Sequence, residues 1–136
     1  MRVTYAVKNS MTRDIISMES AASVNAAMNL MAQKNIGSVV VTRDGEMVGI
    51  LTERDVLLKC CPDNQCSTMK IGDIMSSPPI TIDGDAAIGE AADLMAEKKI
   101  RRLLVTMDGK IQGIITERDV MRATLDVFKT LSEAII

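Results

Sequence analysis

The sequence contains no histidine and no tryptophan, and its only aromatic residues are Tyr5 and Phe128. Without histidine, the chain cannot carry a Ser-His-Asp triad, a Cys-His nucleophile pair or a zinc site that uses imidazole. Two scattered rings cannot build the aromatic platform on which single-strand nucleic-acid binders stack bases. These absences predict that the protein is neither an enzyme nor a nucleic-acid-binding protein.

Charge and hydropathy exclude further classes. The net charge of −2 and a pI near 5.1 have the wrong sign for an electrostatic grip on phosphate backbones. No apolar run approaches the roughly 18 residues that a membrane helix needs. Charged residues interrupt the beginning of the chain too often for a secretory signal. We therefore expect a cytoplasmic protein with no membrane and no nucleic-acid partner.

The sequence contains one unit twice. Gly49–Val56 (GILTERDV) returns 64 positions later as Gly113–Val120 (GIITERDV). At that offset, 20 of the 51 residues from Val7 to Leu57 are identical to their counterparts. An internal repeat of this length indicates a duplicated structural unit. The predicted organisation is a first repeat over residues 7–61, a linker over 62–70, a second repeat over 71–125 and a tail helix over 126–136.

Each repeat has the pattern of a β-α-β-β-α unit. Apolar residues at i, i+3, i+4 and i+7 from Val24 and from Ile88 predict amphipathic helices. Asp-Gly pairs at 44–45 and 108–109, flanked by apolar runs, predict β-hairpins. About 50 residues bury too little surface to be stable alone. We therefore predict an α+β (α/β) fold in which two repeats, related by a pseudo-two-fold axis, pack sheet to sheet.

The second helix of each repeat begins with a Thr-x-x-Asp segment that has two interpretations. The threonine and the aspartate can cap the helix, satisfying its free N–H groups. Alternatively, the helix N-terminus and the threonine can hold a phosphate while the aspartate accepts hydrogen bonds from a ribose, with an adjacent arginine neutralising charge. The residues concerned are Thr52, Arg54 and Asp55 and, in the second repeat, Thr116, Arg118 and Asp119.

The duplicated unit resembles the tandem cystathionine-β-synthase (CBS) domain pair over residues 7–125. The resemblance is carried by Met75–Ile82, by Glu90–Met95 with Ile100, and by Gly113–Asp119. It implies a regulatory, ligand-sensing module that binds an adenosine-containing nucleotide (AMP, ADP or ATP, with or without Mg²⁺) in the cleft between the repeats. Some members of the family bind S-adenosylmethionine instead.

The resemblance also implies a set of ligand-binding residues. In the family, the threonine and the aspartate hold phosphate and ribose, and the adenine lies between aliphatic side chains beside the first strand. Arg101 and Arg102 either contact phosphate or form a solvated pair, and the first repeat has Gly37 and Ser38 at these positions. The positions implied for the adenine are Ile16, Ser17 and Ile36 in the first repeat and Ile80, Thr81, Ile82 and Ile100 in the second.

Three cysteines cluster at the beginning of the linker. Cys60, Cys61 and Cys66 are too few for the usual structural zinc site, and no histidine completes the set. We expect reduced thiols, no metal site and no cofactor, since disulfides are rare in the cytoplasm. A redox role and a metal-binding role are the alternatives.

The leading hypothesis is a stand-alone CBS pair that regulates an unidentified partner protein. The alternatives are a dimerisation scaffold without a ligand and a sensor of the S-adenosylmethionine type. We expect a homodimer, because the helices of a CBS pair typically leave an apolar face exposed. Leu125, Phe128 and Leu131 have helical spacing, which predicts that the tail packs on the module or on a partner.

Overall fold

The computed structural model describes residues 5–62 and 64–135 and contains two three-stranded sheets with helices. In chain order, a 3₁₀ turn at Val7–Asn9 is followed by β1 (Ser17–Glu19), α1 (Val24–Lys34), β2 (Ser38–Arg43), β3 (Glu46–Thr52), α2 (Glu53–Lys59), α3 (Ile71–Ile74), β4 (Thr81–Asp83), α4 (Ile88–Lys98), β5 (Arg102–Met107), β6 (Lys110–Thr116) and α5 (Glu117–Ile135).

The two sheets have the same topology. β1 runs parallel to β2, and β2 is antiparallel to β3, so β2 is the central strand. β4, β5 and β6 repeat this arrangement with every register partner shifted by 64 residues. The predicted order of elements, β-α-β-β-α in each repeat, is confirmed, and so is the mixed α/β fold class.

The hairpins form at the Asp-Gly pairs. Asp44 and Gly45 both have positive φ, at 52° and 80°, and Asp108 and Gly109 have φ of 53° and 75°. Two consecutive residues with positive φ match the right-handed twist of the flanking strands, and Asp-Gly is a favoured sequence for such a turn. The local sequence therefore sets the registers of β2–β3 and β5–β6.

The first helix of each repeat follows the predicted apolar stripe. α1 buries Val24, Ala27 and Met31. α4 buries Ile88 and two further residues at the corresponding positions. The side chain of Ser23 accepts a hydrogen bond from the backbone N–H of Ala26 at 3.0 Å, which caps the start of α1.

The chain forms two compact units, one over 15–79 and the other over 1–14 together with 80–136. In the first unit, the N–H of Ser76 donates to the carbonyl of Ile50 at 2.9 Å. In the second, the N–H of Thr12 donates to the carbonyl of Ile114 at 2.8 Å. The leading segment of each sequence repeat thus bonds to the sheet of the other repeat, and the compact units divide the chain differently from the repeats.

Each unit has its own apolar core. In the unit over 15–79, α1 packs on the sheet residues Val39, Val41 and Leu51. In the other unit, Leu103 and Val105 occupy the corresponding positions under α4. Among residues 5–62 and 64–135, no helix combines the length and the hydrophobicity that a membrane crossing requires.

α5 continues without a break through the segment predicted as a separate tail helix. Met121, Leu125, Phe128 and Leu131 recur along one face of it. All four side chains are more than half exposed. These four side chains therefore do not pack in the core of their own unit, whereas Val127 on the same helix is partly buried; the predicted helical spacing is confirmed.

The expectation of reduced thiols is wrong for two of the three cysteines. Cys60 and Cys66 form a disulfide, and Cys61 is free and exposed. The N–H of Gln65 donates to the carbonyl of Cys60, which returns the chain toward the end of α2, and the Cα atoms of Cys60 and Cys66 lie 5.2 Å apart. This separation is within the range that a disulfide spans.

Candidate functional site

The predicted site residues lie at one end of the strands in each sheet, an end that we call the edge of that repeat. β1 and β2 are parallel and begin at this edge, and β3 is antiparallel to them and ends there. Ser38 at the start of β2 is therefore the register partner of Thr52 at the end of β3. Arg102 and Thr116 are paired in the same way in the second sheet. Because α2 and α5 begin immediately after these threonines, each edge also carries a helix N-terminus.

Main-chain hydrogen bonds attach the segment before each central strand to the adjacent helix. The N–H of Glu53 donates to the carbonyl of Gly37 at 3.1 Å, and the N–H of Glu117 donates to the carbonyl of Arg101 at 2.9 Å. These contacts use one of the N–H groups that a helix leaves free at its start. They also hold Ile36 and Ile100, one residue earlier in the chain, close to the helix starts.

The capping interpretation of the Thr-x-x-Asp segment is confirmed in both repeats. Thr52 Oγ1 accepts from the N–H of Asp55 at 3.1 Å, and Asp55 Oδ2 accepts from the N–H and the hydroxyl of Thr52 at 3.0 and 3.1 Å. Thr116 and Asp119 make the same three hydrogen bonds at 2.9 to 3.2 Å. In both caps Oδ2 of the aspartate accepts the two hydrogen bonds from the threonine, and Oδ1 takes no part in the cap.

In the first repeat, Oδ1 of the aspartate already has partners within the unit. Ser76 Oγ donates to Asp55 Oδ1 at 3.2 Å, and Lys59 Nζ lies 3.1 Å from the same oxygen. Lys59 is fixed further by donating to the carbonyl of Ile74 at 2.9 Å. The Asp55 side chain is 10% exposed. Both of its oxygens are therefore satisfied by the protein.

In the second repeat, the equivalent aspartate has an open oxygen. Thr12 and Ala123 stand 64 positions from Ser76 and Lys59, so the lysine partner is lost. Within residues 5–62 and 64–135, no group forms a hydrogen bond or an ion pair with Oδ1 of Asp119, which is only partly buried. The two sites that look alike in sequence therefore differ in the acceptor that they offer.

The residues predicted to surround the adenine lie on the same edges. Partly buried aliphatic side chains pack against the core of their own unit: Ile16 and Ile36 in one, and Ile80, Ile82 and Ile100 in the other. Ser17 and Thr81 are exposed on strands that pair on one side only within their sheets. The main-chain groups on the outer side of these strands are unused by the sheet.

The arginines differ between the two edges. Arg54 and Arg118 are exposed in the first turns of α2 and α5. Arg101 Nε lies 3.7 Å from Glu117 Oε2, with both side chains more than 60% exposed, and such ion pairs contribute little. Arg102, partly buried on β5, has no basic counterpart in the first repeat. The edge of the second repeat therefore carries three arginines (Arg101, Arg102 and Arg118), and the edge of the first repeat carries one (Arg54).

Sequence reasoning missed Ser76 and Lys59, the two residues that complete the environment of Asp55. A signal for Ser76 exists in the repeat: Met11-Thr12 and Met75-Ser76 both place a hydroxyl residue after a methionine, 64 residues apart. Without knowing that the leading segments bond to the sheet of the other repeat, this hydroxyl could not be assigned to Asp55.

Comparison with known proteins identifies the family. The model of the CBS domain matches residues 6–60 and 71–126. The chain is 36% identical over 115 residues to the uncharacterized protein YlbB of Bacillus subtilis, covering 83% of this chain and 78% of that protein. A crystal structure of an uncharacterized conserved protein from Pyrococcus horikoshii superimposes with a TM-score of 0.83 at 30% identity, covering 91% and 95% of the two chains.

The hexameric CBS-CP12 protein from bloom-forming cyanobacteria superimposes with a TM-score of 0.80 at 26% identity, covering 88% of this chain and 68% of that one. The matched repeats, the shared fold and the level of identity agree on one family of regulatory modules. The chain belongs to the CBS-domain family and contains a pair of CBS domains.

Proposed function

We propose that this CBS pair senses an adenosine-containing nucleotide. The nucleotide binds first at the edge of the second repeat, where β6 ends and α5 begins. The observation that carries the proposal is the open carboxylate oxygen of Asp119 in the first turn of α5, a helix start whose neighbouring residues in α5 and in or just before β5 include Arg101, Arg102 and Arg118. These groups supply an acceptor for a ribose and positive charge for phosphate within one short stretch of structure.

Phosphate binding would depend on the start of α5. A helix of 19 residues carries a partial positive charge at its N-terminus, which favours an anion. Arg118 lies in the first turn, and Arg101 is bonded through its carbonyl to Glu117. The weak pair between Arg101 and Glu117 leaves that guanidinium available for a phosphate, since charge-assisted hydrogen bonds are about twice as strong as neutral ones.

Ribose binding would use Oδ1 of Asp119. A ribose diol presents two O–H donors, and a carboxylate oxygen has two lone pairs to receive them. The cap holds Asp119 in place through Oδ2, so the acceptor is preorganised. The helix cap and the ligand site are therefore two uses of one carboxylate, each with its own oxygen.

The adenine would lie against Ile80, Ile82 and Ile100. These side chains are partly buried, and each keeps some apolar surface outside the core of its unit. Thr81 belongs to β4, which pairs with another strand on one side only within its sheet. The main-chain N–H and C=O groups on its other side can form hydrogen bonds with the polar atoms of a purine ring.

The equivalent edge of the first repeat would bind more weakly. Ile16, Ser17 and Ile36 are present there, but Ser76 and Lys59 already occupy Oδ1 of Asp55. A ribose would have to displace both of them, and α2 has only seven residues. A nucleotide would therefore bind at the edge of the first repeat only after the edge of the second repeat is occupied.

Regulation would operate through association with other chains. The apolar face of α5 is exposed in its own unit, and an exposed apolar stripe marks an interaction surface. A CBS protein of the same fold is hexameric. We propose a homodimer that uses this face, with nucleotide binding modulating a further protein partner.

The proposal is tested by a thermal-shift panel with AMP, ADP, ATP, S-adenosylmethionine, NAD and GMP. A nucleotide at 100 times its dissociation constant adds about 2.7 kcal/mol to the stability of the state that binds it. We expect at least one adenine nucleotide to raise the melting temperature and GMP to leave it unchanged. A response to S-adenosylmethionine alone would favour the alternative sensor, and no response to any compound would favour a scaffold without a ligand.

A further inference from the structure

The three cysteines at the end of α2 form a cluster that the nucleotide site does not use. Cys61 Sγ lies 3.8 Å from Cys66 Sγ, and the sulfur atoms of Cys60, Cys61 and Cys66 all lie within 4.8 Å of one another. Cys60 is fully buried, Cys66 is partly buried and Cys61 is exposed. The cluster thus extends from the core of the unit to the solvent.

The backbone around the cluster is held by a network of main-chain hydrogen bonds. The N–H groups of Cys60 and Cys61 both donate to the carbonyl of Val56, at 3.2 and 3.1 Å. The N–H of Gln65 donates to the carbonyl of Cys60 at 3.1 Å. These bonds join main-chain atoms and do not use the sulfur atoms, so we expect the backbone to keep the three cysteines close together when the disulfide is reduced.

We propose that the reduced form of this cluster binds one thiophilic divalent cation of the zinc class through the three thiolates. A Zn–S bond of about 2.3 Å places two sulfurs of a tetrahedral site about 3.8 Å apart. The Cys61–Cys66 separation already has this value. Thiolate ligands select soft metal ions, and the exposure of Cys61 leaves a fourth position to water.

The helix end supports the same assignment. Cys60 is the C-cap of α2, where the partial charge of a helix is negative and favours a cation. Cys60 Sγ also lies 3.3 Å from the carbonyl oxygen of Val56, an acceptor for the Cys60 thiol once the disulfide is reduced and while no metal is bound. Metal binding releases the thiol protons to solvent.

Metal binding and the disulfide exclude each other, because both use Cys60 and Cys66. Opening the Cys60–Cys66 bond takes two electrons and two protons from a dithiol, which is itself oxidised to its disulfide. The two thiols then join Cys61 as ligands. The three-thiolate metal site therefore exists only in the reduced form of the cluster.

The test is a zinc titration of the full chain after reduction, without oxygen, against a chromophoric chelator. We expect one Zn²⁺ per chain for the reduced protein and none at comparable affinity for the oxidised protein. Cys61→Ser removes an exposed ligand and should weaken binding by at least roughly 100-fold, the upper end of the effect of losing an outer-shell group. Ser67→Ala, an exposed change in the same linker, is the matched control and should bind normally.

Two results would overturn the proposal. Equal zinc binding by the wild-type protein and Cys61→Ser would place the ion elsewhere. A reduced wild-type protein with three titratable thiols that binds no zinc would leave only thiol–disulfide chemistry at the cluster. Cys66→Ser gives an independent check, because its loss of zinc binding must match that of Cys61→Ser.

Discussion

Substituting alanine for each of the two capping aspartates should destabilise the protein by different amounts. Asp119→Ala removes the carboxylate half of a capping box while Thr116 still caps the helix, which costs about 1 kcal/mol. Asp55→Ala removes the same half of its capping box and also two partners of Oδ1. The hydrogen bond from Ser76 contributes about 1 kcal/mol. The half-exposed ion pair with Lys59 contributes about 0.5 kcal/mol. The expected costs are therefore about 2.5 kcal/mol for Asp55→Ala and about 1 kcal/mol for Asp119→Ala.

Urea unfolding, followed by far-ultraviolet circular dichroism, measures this difference. With a slope of about 2 kcal/mol/M, the midpoint of Asp55→Ala should lie roughly 0.75 M below that of Asp119→Ala. Ser76→Ala is the matched control: it should cost about 1 kcal/mol in the wild-type chain and almost nothing in the Asp55→Ala background, since its acceptor is gone. Equal midpoints for the two aspartate variants, or full additivity with Ser76→Ala, would refute the reasoning.

Three further predictions concern charge, assembly and packing. The double variant Arg101→Ala, Arg102→Ala should lose the tighter of two nucleotide-binding events in calorimetry, and an unchanged isotherm would mean that these arginines are a solvated pair. Phe128→Ser should shift the protein from dimer to monomer in light scattering, because its exposed ring lies on the apolar stripe of α5; Lys129→Ser is the control, and a wild-type monomer at high micromolar concentration would contradict the assembly. Gly49→Ala should destabilise more than Gly89→Ala in thermal melts: its Cβ would meet the backbone oxygen of Ser76 at 2.7 Å, whereas that of Gly89 meets nothing within 4 Å. Equal melting temperatures for the two variants would show that the segment carrying Ser76 moves at no cost.

Much of the fold follows from local signals in the sequence. The apolar stripes that begin at Val24 and Ile88, and the Asp-Gly turns, specify helices and hairpins because they depend only on near neighbours. The exchange of leading segments was not predicted, because which sheet receives the strand-like residues around Thr12 and Ser76 depends on contacts far along the chain. The same limitation hid the partners of Asp55.

The candidate site also has features that the sequence predicts and features that it does not. The Thr-x-x-Asp caps were predictable, since a cap involves residues three positions apart. The unequal state of Asp55 and Asp119 was not, because Lys59 and Ala123 look like ordinary variation between repeats until the geometry places the lysine on the carboxylate. The disulfide was missed because the prediction followed the compartment rather than the turn that brings Cys60 and Cys66 together.

Calorimetric titration of the wild-type protein and the Asp119→Ala and Asp55→Ala variants with AMP and ATP tests the central claim most directly. The account predicts that Asp119→Ala weakens the tighter binding event by 1–3 kcal/mol, roughly what losing hydrogen bonds to a charged group costs, while folding remains intact. It predicts that Asp55→Ala leaves this event unchanged despite its larger effect on stability. Normal nucleotide binding by Asp119→Ala, or the loss of the tighter event in Asp55→Ala alone, would contradict the assignment of the site to the start of α5.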